Sequence, residues 1–175
     1  MSVEEYQGLS TTENNMIDPS QNIICTYTTT STYNANSRFN MQLAAEYMNG
    51  IVIEPGQSYS HVNTIHPAGV ENIYKVSTIY VGDGQTAQES GGGICQTSST
   101  TFAAIASAKE KGINTGLYVS EQEVHSGPVN YVPKKFEATV YTGSIDFCFR
   151  NCNDFAVKIV TSTNHNTLTV SIVKI

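Results

Sequence analysis

The hydrophobic periodicity of the chain changes near residue 112, and this change constrains the fold more than any other feature. Before it, apolar residues recur at helical intervals in two segments, which predict helices over about 37–49 and 94–111. After it, β-branched and aromatic segments predict strands at 116–124, 128–132, 136–142, 145–149, 156–163 and 167–175. Two principal helices with a run of strands predict an α+β fold that is mainly antiparallel β-sheet.

Three further strands are predicted before residue 112. They cover 22–33, 51–61 and 74–81, and the second is interrupted by the turn pair Pro55-Gly56. Residues 1–22 are polar and aperiodic, so we predict a loose N-terminal segment there and a single domain over 23–175. A chain of 175 residues is long enough to bury one substantial core.

The charge balance limits the classes of partner. The net charge is −6, whereas nucleic acids and anionic lipids both favour clustered lysine and arginine. We therefore expect no nucleic-acid partner. The sequence has no apolar run of membrane-spanning length and no basic start with an apolar core typical of a signal peptide. Two alternatives follow, a cytosolic chain or a piece excised from a longer protein without its targeting segment.

The stretch "ESGGGICQTSSTT", residues 89–101, suggests a reactive cysteine. Cys95 falls in the first turn of the second predicted helix, where N–H groups favour a thiolate. Gly91, Gly92 and Gly93 leave room for a substrate backbone, and nearby N–H groups can hold an oxyanion. We interpret Cys95 as a nucleophile. The alternative is a small buried apolar residue beside a mobile loop.

A thiolate nucleophile in acyl transfer needs a base, and the base needs an orienting group. His125 lies between two predicted strands, and Glu137 in the following strand could orient its imidazole. His61 and His66 are predicted to be solvated residues of one loop, and His165 a surface residue of a turn. The predicted triad is therefore Cys95, His125 and Glu137.

The other three cysteines leave several possibilities open. Cys148 and Cys152 could form a disulfide across a tight turn or remain free thiols. A zinc site would require Cys25 or a distant histidine to join them. A metal-dependent hydrolase with Cys95 and His125 as ligands is the least favoured alternative, and we expect no metal and no cofactor.

Three blocks of the sequence resemble the VanW family of bacterial cell-envelope proteins. They are "SRFNMQLAAEYMNGIVIEPGQSYS", "GGGICQTSSTTF" and "HSGPVNYVPKKFEATV", and the likeness in order and spacing runs from about Cys25 to Ile159. The matching positions include Arg38, Asn40, Gly91, Gly92, Gly93, Cys95, Gln96, Ser98, Ser99, Thr100, His125, Pro128, Val129, Tyr131 and Pro133. Two positions depart from the family, since Glu137 replaces the usual Asp and His61 the usual Asn.

The resemblance implies L,D-transpeptidation of peptidoglycan stem peptides. Cys95 would attack the carbonyl before the terminal D-residue, His125 would shuttle protons, and Gln96 with backbone N–H groups would stabilise the oxyanion. The expected substrate-binding residues are Arg38, Asn40, Gly91, Gly92, Gly93, Gln96, Ser98, Ser99 and Tyr131. The family also implies an extracytoplasmic location, with any membrane anchor in a segment absent from this chain. The alternative function is a non-catalytic peptidoglycan-binding or wall-assembly module linked to glycopeptide resistance.

Overall fold

The computed structural model describes residues 22–81 and 83–175. The predicted loose segment, residues 1–22, lies outside the described residues except for Asn22. The described part has three α-helices, α1 (Ala35–Met48), α2 (His61–Ile65) and α3 (Cys95–Glu110). Its strands are β1 (Ile23–Thr30), β2 (Val52–Ile53), β3 (Ser58–Ser60), β4 (Val76–Tyr80), β5 (Thr86–Ser90), β6 (Leu117–Glu121), β7 (Cys148–Asn151), β8 (Val157–Asn164) and β9 (Thr167–Lys174).

The main sheet is antiparallel and has the strand order β1-β9-β8-β2. Val170 of β9 pairs with Tyr27 of β1 on one side and with Thr161 of β8 on the other. α3 packs on β1 and β9, and α1 packs on β8. The core between them is apolar and includes Met41, Met48, Ile53, Ile159, Leu168 and Ile172, each no more than 1 % exposed. Burial of these side chains is the main stabilising term for the fold.

Two smaller antiparallel sheets extend this core. The first has the order β3-β7-β6, and its Phe149 is fully buried against Tyr59. The second is the β4–β5 hairpin, in which Val76 pairs with Ser90 and Tyr80 with Thr86. The hairpin packs against α1 and leads directly into the turn before α3. The α+β prediction, with mainly antiparallel sheet and two principal helices, is confirmed.

Two of the predicted strands are wrong. Residues 128–132 form an irregular loop with bends, and residues 136–142 contain the end of a 3₁₀ turn, Lys134–Phe136, followed by irregular backbone with one isolated bridge. Prolines at 128 and 133 lack the N–H that a strand ladder needs. The N–H of Ala138 donates to the Ser99 hydroxyl on α3 instead of to a neighbouring strand. Helix α2 and strand β5 were not predicted.

His61 is not the solvated loop residue that the sequence suggested. It is fully buried at the start of α2, with Nδ1 hydrogen-bonded to the Tyr59 hydroxyl at 3.1 Å and Nε2 to the Thr97 hydroxyl at 2.9 Å. Burial lowers its pKa from 6.5 to about 3. His66 is half-buried at the end of α2, whereas His165 lies exposed in the β8–β9 turn, as predicted.

The buried imidazole predicts a specific acid sensitivity. A depressed folded-state pKa means that the stabilisation by neutral His61 is present above pH 6.5 and is lost as the pH falls toward 3. Between pH 7 and pH 5 this histidine should lower the free energy of unfolding by about 2 kcal/mol. Urea titrations of the wild type and of His61→Asn at both pH values check this. The prediction would be contradicted if the free energy of unfolding fell equally in the two proteins between pH 7 and pH 5.

Candidate active site

Cys95 begins α3, and the turn before it fixes where the thiol lies. Gly91 and Gly93 adopt φ values of +98° and +106°, which L side chains rarely adopt. A Cβ on Gly93 would overlap the Ser37 carbonyl oxygen, and one on Gly92 would meet the Thr78 carbonyl. The glycines are therefore needed for close packing against α1 and β4 as well as for the backbone conformation. Among the described residues, no side chain caps the N-terminus of α3.

Asn40 on α1 holds this turn from behind. Its Nδ2 donates to the Gly92 carbonyl at 2.9 Å and to the Lys75 carbonyl at 2.8 Å, and its Oδ1 accepts from the Lys75 N–H at 2.7 Å. Asn40 is fully buried. Its amide thus links the glycine turn to Lys75, the residue that precedes β4.

His125 and Glu137 lie together, as the sequence analysis predicted. The Glu137 Oε2 atom is 3.1 Å from His125 Nδ1 and accepts a hydrogen bond from the His125 backbone N–H at 2.9 Å. Both residues are buried, with 7 % and 3 % of their surfaces exposed. A carboxyl group bonded at Nδ1 fixes the ring, so Nε2 is the nitrogen that can serve as the base.

The thiol of Cys95 is hydrogen-bonded to His125 and the two groups perturb each other. Burial disfavours the thiolate, but the hydrogen bond and positive charge of His125 outweigh it, so the pKa of Cys95 falls below 9.0. Burial likewise disfavours the imidazolium, but its hydrogen bonds and charge interactions with Cys95 and Glu137 raise the pKa of His125 above 6.5. Each group therefore shifts the other toward its charged form.

Residues outside the predicted set also contact the sulfur. The N–H of Val140 donates to the Cys95 Sγ at 3.5 Å, and the Thr139 hydroxyl lies 3.7 Å from it. Both contacts favour the thiolate. No sequence signal identified them, because segment 136–142 was predicted as a strand. The sequence "ATV" that directly follows Glu137 is what the resemblance could have used to find them.

Cys95 and His125 line an open cleft of about 1140 Å³. One wall comes from the β4–β5 hairpin and the glycine turn, and the other from segments 123–131 and 139–145. Tyr131 also lines the cleft, with its hydroxyl 3.4 Å from His125 Nε2 and its ring edge-on to the imidazole. Of the predicted substrate-binding residues, the cleft contains Gly91, Gly92, Gly93 and Tyr131.

The structure places the remaining predicted binding residues behind the cleft. Gln96 is fully buried, and its Nε2 donates to the Thr29 hydroxyl at 2.9 Å, away from the thiol. The half-buried Arg38 donates from Nε to the Asn166 side chain at 2.8 Å. These residues and Asn40 do not line the cleft. In this arrangement they support the site, and Gln96 is not placed to bind an oxyanion.

Ser98 and Ser99 join α3 to the segment that carries Glu137. Both are fully buried, and their hydroxyls donate to the Ala138 carbonyl at 2.5 Å and 3.2 Å. Ser99 also accepts from the Ala138 N–H at 3.0 Å. These bonds fix the carboxyl-bearing segment relative to the cysteine helix. They explain why a buried helix tolerates hydroxyl residues that are weak helix formers.

The remaining cysteines take no part in this arrangement. Cys25 is buried on β1, where burial raises the pKa of its thiol to about 12. Cys148 and Cys152 are free thiols, so the structure has no disulfide between them. Within residues 22–81 and 83–175, no group of three or more His, Cys, Asp or Glu residues is placed to hold a metal ion. Over the same residues, no helix is long and apolar enough to span a bilayer.

The thiol–imidazole pair predicts an unusual pH profile for alkylation. Since the thiolate is the reactive form, the rate for Cys95 with iodoacetamide should reach half its maximum below pH 9.0. His125→Asn removes the stabilising partner but keeps the burial, so the midpoint should rise and the rate at pH 7 should fall about tenfold or more. The assay uses a Cys148→Ser, Cys152→Ser background. An unchanged midpoint would contradict the assignment of the pair.

Together, fold and site define an α+β domain with a cysteine–histidine–carboxyl arrangement at the start of a helix, open to a large cleft. The family described as "VanW like protein" matches residues 36–173, and the chain belongs to this family.

Two relatives support this membership. The chain is 30 % identical over 132 residues to the "Vancomycin B-type resistance protein VanW" of Enterococcus faecalis (strain ATCC 700802 / V583), an alignment that covers 73 % of the chain and 45 % of that protein. It is 33 % identical over 118 residues to the "Uncharacterized protein YoaR" of Bacillus subtilis (strain 168), covering 67 % of the chain and 36 % of that protein. The chain thus spans less than half the length of either relative. No solved structure matches it significantly.

Proposed function

We propose that this domain carries out cysteine-dependent acyl transfer on peptidoglycan stem peptides, an L,D-transpeptidase-type cross-linking reaction at the cell envelope. The observation that carries the proposal is the hydrogen-bonded series Cys95, His125 and Glu137 at the wall of an open cleft. A perturbed thiol and imidazole in a cleft are the features expected of a nucleophile and its base. The proposal therefore includes an extracytoplasmic location, because its substrate is part of the cell wall.

In the first half-reaction the Cys95 thiolate attacks the carbonyl carbon that precedes the terminal D-residue of a donor stem. A C–S bond forms, and the peptide C–N bond breaks when the His125 imidazolium gives its proton to the leaving nitrogen. The products are a thioester on Cys95, a neutral imidazole and the free terminal amino acid. Glu137 keeps the imidazole ring in position through this proton transfer.

The tetrahedral intermediate of this step needs hydrogen-bond donors for its oxyanion. The N–H groups of Gly93 and Cys95 have no backbone acceptor within the described part of the chain, while those of Ile94 and Gln96 donate to Gly91 and Gly93. The N-terminus of α3 also adds its positive dipole. We assign the oxyanion to the Gly93 and Cys95 N–H groups, in place of the Gln96 side chain.

In the second half-reaction a side-chain amine of a neighbouring stem attacks the thioester. The C–N bond forms, the C–S bond breaks, and neutral His125 takes the proton that the attacking nitrogen must lose. The leaving thiolate and the new imidazolium restore the resting pair. The family relation to a protein named for vancomycin resistance agrees with a role in cell-wall chemistry.

A turnover assay tests the proposal. The purified domain is incubated with a synthetic stem tetrapeptide alone and then with a second stem that supplies an amine. We expect release of the terminal D-residue in both mixtures and a new amide-linked dimer in the second, detected by mass spectrometry. Absence of released amino acid with a folded protein would refute acyl transfer.

The second candidate is a non-catalytic peptidoglycan-binding or wall-assembly module. The observation that favours it is the cleft itself, which at about 1140 Å³ can hold a peptide without any reaction. This candidate predicts peptide binding without release of an amino acid. It also predicts slow alkylation of Cys95 at neutral pH, opposite to the expectation given above.

A further inference from the structure

The charged residues that line the cleft bear on the nature of the acceptor. Among the described residues that line it, none is a lysine or an arginine, and the only carboxylates are Glu89 and Glu123. Glu89 precedes the glycine turn, and Glu123 precedes His125 by two residues. One carboxylate therefore stands on the strand that leads to the glycine turn, and the other on the segment that carries His125.

Glu89 already has a partner, whereas the carboxylate of Glu123 is available. The Tyr141 hydroxyl donates to the Glu89 Oε2 atom at 3.2 Å. The side chain of Glu123 is exposed and makes no hydrogen bond or ion pair with any described residue. An exposed carboxylate at the edge of a cleft whose described lining has no lysine or arginine attracts a cationic group of a ligand.

The backbone holds Glu123 close to the reacting atoms. Its carbonyl accepts a hydrogen bond from the Thr139 N–H at 2.8 Å, and the Thr139 hydroxyl lies 3.7 Å from the Cys95 Sγ. An acceptor amine must reach the thioester on the side of His125, because that imidazole takes its proton. Glu123 lies on this side of the cleft.

We propose that Glu123 is a specificity-determining residue that selects a cationic primary amine as the acyl acceptor over water. This inference rests on the proposed acyl transfer. The carboxylate binds the acceptor as an ammonium ion. One proton then leaves to solvent, the free amine attacks the thioester carbon, and the second proton passes to His125 as the thiolate departs. Charge and protons balance, and no further reactant is required.

The ratio in which one acyl-enzyme reacts with an amine or with water tests this assignment. The donor is a stem tetrapeptide, and the acceptor is Nα-acetyl-lysine amide, which has an ammonium group and no free carboxylate. Both aminolysis and hydrolysis products come from the same thioester, so their ratio does not depend on the rate of acylation. For Glu123→Gln at low ionic strength we expect this ratio to fall about fivefold. Added salt should lower the wild-type ratio and leave that of the variant nearly constant.

Two controls separate the local carboxylate from net charge. Glu71→Gln removes the same charge at an exposed position outside the cleft and should leave the ratio unchanged. Hydroxylamine, an uncharged nucleophile, should give the same ratio with wild type and with Glu123→Gln.

The outcomes distinguish this inference from the function on which it rests. An unchanged lysine-amide ratio in Glu123→Gln, or an equal fall with hydroxylamine, overturns the role of Glu123 while acyl transfer stands. If no acyl-enzyme forms in the wild type, the proposed function fails and the acceptor assignment fails with it.

Discussion

Replacing Cys95 by alanine is expected to abolish release of the terminal D-residue and formation of the amide-linked dimer. The sulfur is the atom that bonds to the acyl group, and neighbouring residues such as Thr139 cannot replace it. Loss of a covalent nucleophile reduces turnover by about a thousandfold or more. The assay is the stem-peptide reaction described above, with product quantified by mass spectrometry.

The same substitution should leave the fold intact. Cys95 is only partly buried, and alanine is a good helix former. Circular dichroism and urea unfolding of the variant should therefore match those of the wild type to within about 1 kcal/mol. Cys152→Ala, which alters an exposed thiol away from the triad, should retain full activity. Cross-linking by Cys95→Ala at the wild-type rate would refute the nucleophile.

Gly93→Ala is expected to unfold the domain or to lower its free energy of unfolding by about 4 kcal/mol or more. The φ value of Gly93 is +106°, and the added Cβ would overlap the backbone carbonyl of Ser37 on α1. A backbone atom cannot rotate out of the way as a side chain can, so the helices α1 and α3 would have to separate. Urea titration followed by circular dichroism measures the change.

Gly112→Ala is the matched control for backbone conformation. Gly112 follows α3 with a φ of +77°, but a Cβ there would meet nothing within 4 Å. Its substitution should lower the free energy of unfolding only by the cost of holding alanine in the left-handed conformation, about 1 kcal/mol. A loss for Gly93→Ala as small as that for Gly112→Ala would show that the close approach to Ser37 does not constrain the turn.

The sequence predicted those parts of the molecule that depend on local pattern. The apolar intervals around Leu43 and Ile105 place α1 and α3 correctly, and the alternation in 167–175 places β9. The sequence predicted a helix from about residue 94 with Cys95 in its first turn, and the structure confirms this position of Cys95. The structure also brings His125 and Glu137 together with the thiol, although their catalytic roles remain predictions.

Other features could not be predicted because they depend on contacts between distant segments. His61 was predicted to be a solvated loop residue. In the structure it is buried, and its imidazole is hydrogen-bonded to Thr97 of another helix. Segment 136–142 has strand-like residues, but the hydroxyls of Ser98 and Ser99 take the hydrogen bonds of Ala138 that a strand would use. Gln96 was assigned to the oxyanion, and only the packing of α3 against β1 shows that its amide faces the core.

The most direct test of the central claim is the intact mass of the protein after incubation with a stem tetrapeptide, with acid quenching and no acceptor present. The account predicts a mass increase equal to the peptide without its terminal D-residue, and peptide mapping that places this thioester on Cys95. It also predicts no adduct with Cys95→Ala. A wild-type mass that stays unchanged at every quench time, or an adduct on another residue, would contradict the account.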